Sequence, residues 1–458
     1  MSINHHFDML EQLLSLIHPE RVDALAKETG FIKRKRQITA SDFLTLLFKS
    51  HGNLLDSSLQ ELCVKLSLDQ DISVSRTAID KKFTPEAAEF LLRLIHEVVI
   101  VQNQLDLSSL LNQDTLPFTS IRVMDSTFVS VPDHLKSRAK NTHQQSAKVH
   151  FEFDLLSGQS TFLKVDFIHI NDAKMGSQRL PYVVENELCM QDLGYFSFEQ
   201  FKKMDQSGVF FISKTRNDMY LAYKNPYPTY HKNGKPVKSS QYHRIDLVEL
   251  CRNLQPGEYL ELEDVYFGGE AHFPARCIIF SHGEKQIENR LKKIDRRTTK
   301  SGKEPKQVIR DLAGITVYMT NLPISISEKQ VTLLYRLRWQ VELQFKVWKS
   351  YIKIDHFKLV KNPRWLCHLY ATLLVCIISQ FIAYQIRNII WEEKEMEISE
   401  MIAVRTISNE VLPKLYGIFH RKKKGCIVIF QAVIQLLCKT ARKPRSANGT
   451  AIHHLLFN

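Results

Sequence analysis

The chain has no Cys-x-x-Cys pair, no Cys/His set at zinc spacing, and no GxxxxGK[ST], HExxH or GxSxG run. These absences argue against structural zinc, P-loop nucleotide chemistry, zinc proteolysis and serine hydrolysis, so no nucleotide cofactor is expected. The eight cysteines (Cys63, Cys189, Cys251, Cys277, Cys367, Cys376, Cys426, Cys438) are scattered among apolar residues, which reads as the reduced thiols of a cytosolic protein. Met-Ser-Ile-Asn-His-His at the start lacks a cationic stretch leading into an apolar one, so no signal peptide is expected. There is no internal repeat and no low-complexity tract. Acids are scarce at the far end, where residues 401–458 contain ten Lys/Arg and one acid, Glu410.

What is present is an ordinary globular composition, with 44% hydrophobic and 24% charged residues over 458 positions. That is enough chain for several domains and a large core. Lys and Arg number 62 against 49 Asp and Glu, a net charge of +13. Such an excess predicts a polyanionic partner, either nucleic acid or an anionic membrane surface. Trp365 to Ile386 is apolar enough to suggest a membrane span. However, His368, Ser379, Gln380 and Gln385 interrupt the run and Arg387 ends it. The reading is therefore a buried core helix, with no membrane partner.

Residues 1–112 read as short helices with apolar spacing at Leu10–Ile17, Arg21–Glu28 and Ser41–Phe48. Ser58–Leu66, a polar turn and Ser73–Phe83 then resemble a helix-turn-helix. Arg76, Lys81 and Lys82 are its candidate DNA contacts, with the basic run Lys33–Arg36 nearby. From Thr119 the period changes to that of strands. Ile121–Asp125, a hairpin over Val149–Asp154 and Thr161–His169, and Val209–Ser213 alternate with a helix capped by Ser197, which describes a mixed α/β core. Residues 214–313 read as a β-rich insertion, with strands at Tyr259–Phe267 and Phe273–Phe280. Within it, Asn289–Arg310 is so basic that it reads as a mobile loop. Ile315–Thr320 resumes the core. The resulting organisation is 1–112, 113–213, 214–313, 314–390 and a basic helical 391–458.

The run from Leu334 to Lys349 contains neither Gly nor Pro and is rich in helix formers, so it reads as one helix. At about 100° per residue, Tyr335, Arg338, Glu342 and Lys349 share an arc of roughly 60°, beside an apolar face. A carboxylate flanked by cations and a phenol suits phosphodiester chemistry, because carboxylates hold hard metal ions and cations hold phosphates. Asp125, followed by Ser126-Thr127, ends one predicted strand. Asp192, followed by Leu193-Gly194-Tyr195, ends another. With Glu342 these make three carboxylates on separate elements, a set that can serve two divalent ions.

Together these motifs resemble the DDE-superfamily transposases of bacterial insertion sequences, in the insertion-sequence-four-like, cut-and-paste branch with a Y-x2-R-x3-E-x6-K signature. Tyr335, Arg338, Glu342 and Lys349 match that signature at every spacing. Asp125-Ser-Thr127 and Asp192-Leu-Gly-Tyr195 match the two Asp motifs, over a region of about 115–390. The resemblance implies a ribonuclease-H-like (retroviral-integrase-like) mixed-sheet core interrupted by a β-rich insertion, with helical N- and C-terminal regions. It implies that Asp125, Asp192 and Glu342 hold two Mg²⁺ ions, for which Mn²⁺ substitutes. It further implies that Tyr335, Arg338 and Lys349 contact phosphates of double-stranded DNA, and that a homodimer forms the synaptic complex. Some relatives place a Trp on the strand before the late helix, where it stacks on a flipped base. Here that strand reads Ile315-Thr316-Val317-Tyr318, and Tyr318 supplies the aromatic face. The competing readings are a non-enzymatic DNA-binding derivative and a nuclease on the same fold.

Overall fold

The computed structural model describes residues 3–34, 36–51, 56–105, 118–132, 146–167, 170–302, 304–355, 360–414 and 423–443. In chain order the helices α1 to α6 are Ile3–Ser15, Pro19–Glu28, Ala40–Ser50, Leu59–Gln70, Arg76–Asp80 and Pro85–Gln104. Strands β1 (Ser120–Ser130), β2 (Ser146–Asp154) and β3 (Ser160–Asp166) follow, then α7 (Asp172–Ser177), β4 (Glu187–Gln191), α8 (Phe198–Gln206) and β5 (Phe210–Lys214). Next come β6 (Leu221–Lys224), β7 (Tyr242–Arg244), α9 (Leu247–Cys251), β8 (Tyr259–Phe267) and β9 (Phe273–Ser281). Then follow α10 (Glu284–Ser301), α11 (Gln307–Asp311), β10 (Ile315–Thr320), α12 (Glu328–Leu337) and α13 (Gln340–Ser350). The last helices among the described residues are α14 (Asn362–Lys394), α15 (Glu400–Thr406) and α16 (Lys423–Thr440). It divides into two units, one of residues 1–170 and 339–458, the other of residues 171–338.

In the first unit, β1, β2 and β3 form an antiparallel meander, with Asp125 paired to Phe151. Gly158 turns β2 into β3 at φ +75°, where any side chain would overlap Tyr384 of α14. The apolar run of α14 is long enough to cross a membrane, yet 94% of its most apolar window is buried within the protein. Polar residues from the C-terminal half of α14 close the β2–β3 turn. Gln385 donates to Ser157 O at 2.9 Å, Arg387 to Leu156 O at 2.8 Å and Asn388 to Leu156 O at 3.1 Å. The core-helix expectation therefore holds, and Gln385, Arg387 and Asn388 have hydrogen-bonding partners inside the core.

In the second unit the strand order is β4-β5-β10-β9-β8-β6-β7. Only β4 and β5 are parallel; the other neighbours run antiparallel. Phe211, Val265, Phe267, Cys277, Ile279 and Val317, from β5, β8, β9 and β10, build one apolar core.

Four local expectations change. Asp125 lies within β1 rather than at its end, because Ser126–Ser130 continue pairing with residues 146–150 of β2. The late helix is two helices, interrupted at Arg338–Trp339, where Arg338 N and Glu342 N bond three residues back rather than four. The helix expected over Ser73–Phe83 is only α5, and Thr84, extended ahead of Pro85, caps α6. Finally, most of the basic stretch 289–310 is helix. Residues 284–301 lack Gly and Pro, Glu288 and Lys292 pair one turn apart at 3.5 Å, and Gly302 ends α10 at φ +65°.

Candidate active site and nucleic-acid surfaces

In the first unit α13 packs on β1. Trp348 and Phe345 of α13 rest against Phe151, with ring centroids 4.7 and 6.4 Å apart. Phe151 is the strand partner of Asp125. Directly paired residues project to the same side of a sheet, so Asp125 is on the side that α13 covers. Asp125 is half-buried, and its Oδ1 accepts the Ser126 N–H at 2.7 Å. Glu342 occupies the first turn of α13, where the helix dipole favours a carboxylate, and the Trp339 indole N–H donates to it. Lys349 lies about two turns further along the same face and pairs with Asp355 at 3.5 Å. Burial raises the Asp355 carboxyl from its ordinary value, and Lys349 opposes that shift.

In the second unit Asp192 follows the last residue of β4 and caps a short turn, its Oδ2 accepting the Gly194 N–H at 3.4 Å. Its side chain is 48% exposed, and Arg338 stands 3.9 Å away. Tyr335 is buried beneath, and its hydroxyl donates to the Gln191 carbonyl at 3.4 Å. Burial raises this phenol well above its ordinary range, so it remains a proton donor. Tyr318 packs edge-on against Tyr335 at 5.5 Å, and its phenol is pushed up to about 12, again by burial.

Beside these rings lies a feature that sequence reasoning did not single out. Lys214, at the end of β5, places its ammonium 5.0 Å from the Tyr335 ring and 5.9 Å from that of Tyr318. Burial, followed by the charges of Arg290, Arg338 and Arg336, pulls its pKa down to about 8, with Asp192 opposing. A cleft of about 450 Å³ opens there, lined by Lys214, Arg290, Lys293, Arg336, His282 and Tyr318 among others, and by no carboxylate. The only sequence signal was a cation closing a strand that otherwise reads as apolar.

Among the N-terminal helices, Lys81, Lys82, Lys33, Arg34 and Arg36 line one cleft of about 830 Å³. The structure thus brings the basic run and the end of α5 together. Arg76 and Lys81 are exposed, whereas Lys82 is half-buried and donates to Ile38 O at 2.8 Å.

Among the described residues, no group of three His, Cys, Asp or Glu side chains is close enough to hold a metal ion. Asp125, Asp192 and Glu342 are nevertheless all carboxylates, the donor type that suits Mg²⁺ or Mn²⁺.

Residues 116–378 match the family described as the transposase DDE domain. The transposase for insertion sequence element IS231B of Bacillus thuringiensis subsp. berliner is 32% identical over 94% of this chain and 91% of its own length. The transposase for IS1151 of Clostridium perfringens is 32% identical over 90% and 86%, respectively. A solved piggyBac transposase synaptic complex with hairpin DNA aligns over 97% of this chain and 87% of its own at 10% identity. Its TM-score is 0.46, a likeness too low to carry an argument. With the domain matched over more than half of the chain and relatives above 30% identity along most of it, the protein belongs to the DDE transposases of bacterial insertion sequences.

Proposed function

We propose that this transposase cleaves DNA at the inverted repeats of its element in a Mg²⁺-dependent reaction and joins the freed 3′-hydroxyl to target DNA, moving by cut and paste. Asp125, Asp192 and Glu342 are assigned to the metal ions, on a core of the ribonuclease-H-like class. Two such ions, when bound, would activate the attacking oxygen and stabilise the leaving one. In cleavage a water oxygen bonds to phosphorus and the P–O3′ bond breaks, leaving a 3′-hydroxyl and a 5′-phosphate. In transfer that 3′-hydroxyl attacks a target phosphodiester, a new P–O bond forms and the target's own 3′-oxygen departs.

The chain's other residues hold the DNA in this scheme. Arg338, Tyr335 and Lys349 contact phosphates flanking the scissile one, Arg as a fork and Lys as a point charge. Lys349, now paired with Asp355, would exchange that partner for phosphate. Arg76, Lys81 and Lys82 of the helix-turn-helix contact the transposon end. The protein works as a homodimer in the synaptic complex, in the cytoplasm at the nucleoid.

The observation that supports this reading most is the packing of α13, with Glu342 in its first turn, against the strand that holds Asp125. The test is to incubate the protein with duplex transposon ends and a target plasmid in Mg²⁺. Ends covalently joined to plasmid through their 3′-strands are expected. Cleaved ends without joining would make the protein a nuclease, and binding without cleavage would make it a DNA-binding derivative.

A further inference from the structure

Helix α10 carries seven Lys/Arg against three acids, and the two signs are separated. With Gln286 at 0°, Arg290, Lys293 and Arg297 fall within about 40° of it, whereas Glu284, Glu288 and Asp295 fall at about 160–200°. Ile287, Leu291 and Ile294 lie between, at about 80–140°, and seat the helix. A side chain placed at Gly314 would lie 3.3 Å from Ile287, which shows how closely that side packs. Arg290 fixes the helix to the start of β10, donating to Ile315 O at 2.6 Å and Thr316 Oγ1 at 2.7 Å. The acids are drawn to other partners. Asp295 pairs with Arg310 at 2.8 Å, and Glu288 with Lys292.

That leaves a stripe of cations, Arg290–Lys293–Arg297, running between two clefts. One is the carboxylate-free cleft with Lys214 and Arg336. The other, of about 350 Å³, is lined by Arg216, Lys293 and Arg297, with Arg216 bound to Asp218. Lys293, Arg297 and Arg336 are exposed and have no ion pair among the described residues. Like charges gathered on one face without acids between them repel one another, and such a face is stabilised when a polyanion lies along it.

We propose that this face of α10, together with Lys214 and Arg336, is a track for the phosphate backbone of DNA, made of residues other than the three acids and the N-terminal basic residues. The long cationic side chains would follow the backbone without reading bases, so the track takes transposon-end and unrelated DNA alike. It rests on the transposase assignment but not on the metal reading, and is tested in EDTA to keep the two apart.

The experiment compares the full-length protein with Lys293→Glu/Arg297→Glu and with a control of equal charge change, Lys285→Glu/Lys292→Glu, set about 100° around the helix. Circular dichroism and thermal melts establish that each variant is folded. Binding is measured on a terminal-repeat duplex and an unrelated duplex across a salt series. The stripe variant should bind both DNAs at least tenfold more weakly, and its log K against log[salt] slope should flatten by about two, one phosphate per residue. The control should lose less than threefold. Equal losses in both variants would reduce the effect to net charge. A loss confined to the terminal repeat would overturn the sequence-independent track, and no loss would overturn the track altogether.

Discussion

Arg387 and Lys214 are both cations withdrawn from water, one in each unit, and they are treated in opposite ways. Arg387 is 1% exposed, donates to the carbonyls of Leu155 and Leu156, stands 3.8 Å from Glu400 and lies over the Tyr384 ring at 4.2 Å. Its charge is answered on every side. Lys214 has two aromatic faces but no carboxylate within ion-pair distance among the described residues, and arginines nearby that push its proton off. A buried charge without a partner is expensive to keep. The first cation holds a fold together, and the second waits for an anion. The contrast extends to their surroundings. Around Asp125 and Glu342 aromatic rings and strand pairing fix the geometry, whereas around Lys214 the charge exceeds what the protein neutralises.

The largest effect should come from the acids. Asp125→Ala, Asp192→Ala and Glu342→Ala should each lower cleavage of transposon ends about a thousandfold or more. The losses should not add in a double variant, because the three act as one unit. DNA binding and melting temperature should stay near those of the wild type. Near-normal Mg²⁺-dependent cleavage by any one variant removes that residue from the set. A parallel loss of DNA binding would break the contrast between a metal-holding and a phosphate-holding group.

Next in size is the satisfied cation. Arg387→Met takes the Arg387 donor from the Leu155 carbonyl and one of two donors from that of Leu156, which keeps Asn388 at 3.1 Å, and it weakens the neutralisation of Glu400, which keeps Lys443 at 2.7 Å. Unsatisfied buried groups and a broken buried pair together should cost about 2–4 kcal/mol, read as a lower urea midpoint. Arg387→Lys, which keeps the charge, should recover part of it. A neutral Arg387→Met would mean that the first unit does not depend on this pairing.

Much of this arrangement was legible in the chain. Alternation marked β8, β9 and β10 to within a residue, the end of β2 and the start of β3, whereas β2 starts three residues earlier than expected and the expected end of β3 at His169 lies outside the described residues; the polar breaks in α14 correctly argued for a core helix. What could not be read has physical causes. No Gly or Pro announces the interruption at Arg338–Trp339; it shows only in the shortened hydrogen bonds. Asp125 looked like a strand end because an acid in mid-strand breaks the apolar pattern, yet β2 supplies partners for five more residues. Charge density disguised α10, although a segregated charge pattern without helix breakers is compatible with a helix. The cleft at Lys214 draws on positions 214, 282, 290, 293, 318 and 336, which the strand pairing β5–β10–β9 and the seating of α10 and α12 on those strands bring together.

The smallest effect is the sharpest test of the opening contrast, because it should change sign between stability and function. In the folded protein Lys214 titrates near pH 8, whereas the unfolded chain titrates near the ordinary lysine value of about 10.4. Between these limits the unfolded state binds more protons, so stability rises with pH across that window, and below pH 8 the whole cost of the charged lysine is present. Lys214→Met removes the cost while keeping the apolar stem, but it forfeits the cation–π contacts, worth about 0.5–1 kcal/mol. At pH 7 the variant should therefore be more stable by about 1 kcal/mol, raising the melting temperature by about 2 °C, and it should lack the wild type's gain between pH 8 and 10. DNA binding should move the other way, severalfold weaker at pH 7, with the gap closing toward pH 9 as the wild-type lysine loses its charge. The groups around it do not mimic this trend. Burial raises the phenols of Tyr318 and Tyr335, which stay protonated across the window. Burial, with Arg290 next, lowers His282, which is neutral throughout. A Lys214→Met variant that is less stable at pH 7, or that binds DNA as well as the wild type, would mean that Lys214 is a structural cation like Arg387, and the difference between the two units would disappear.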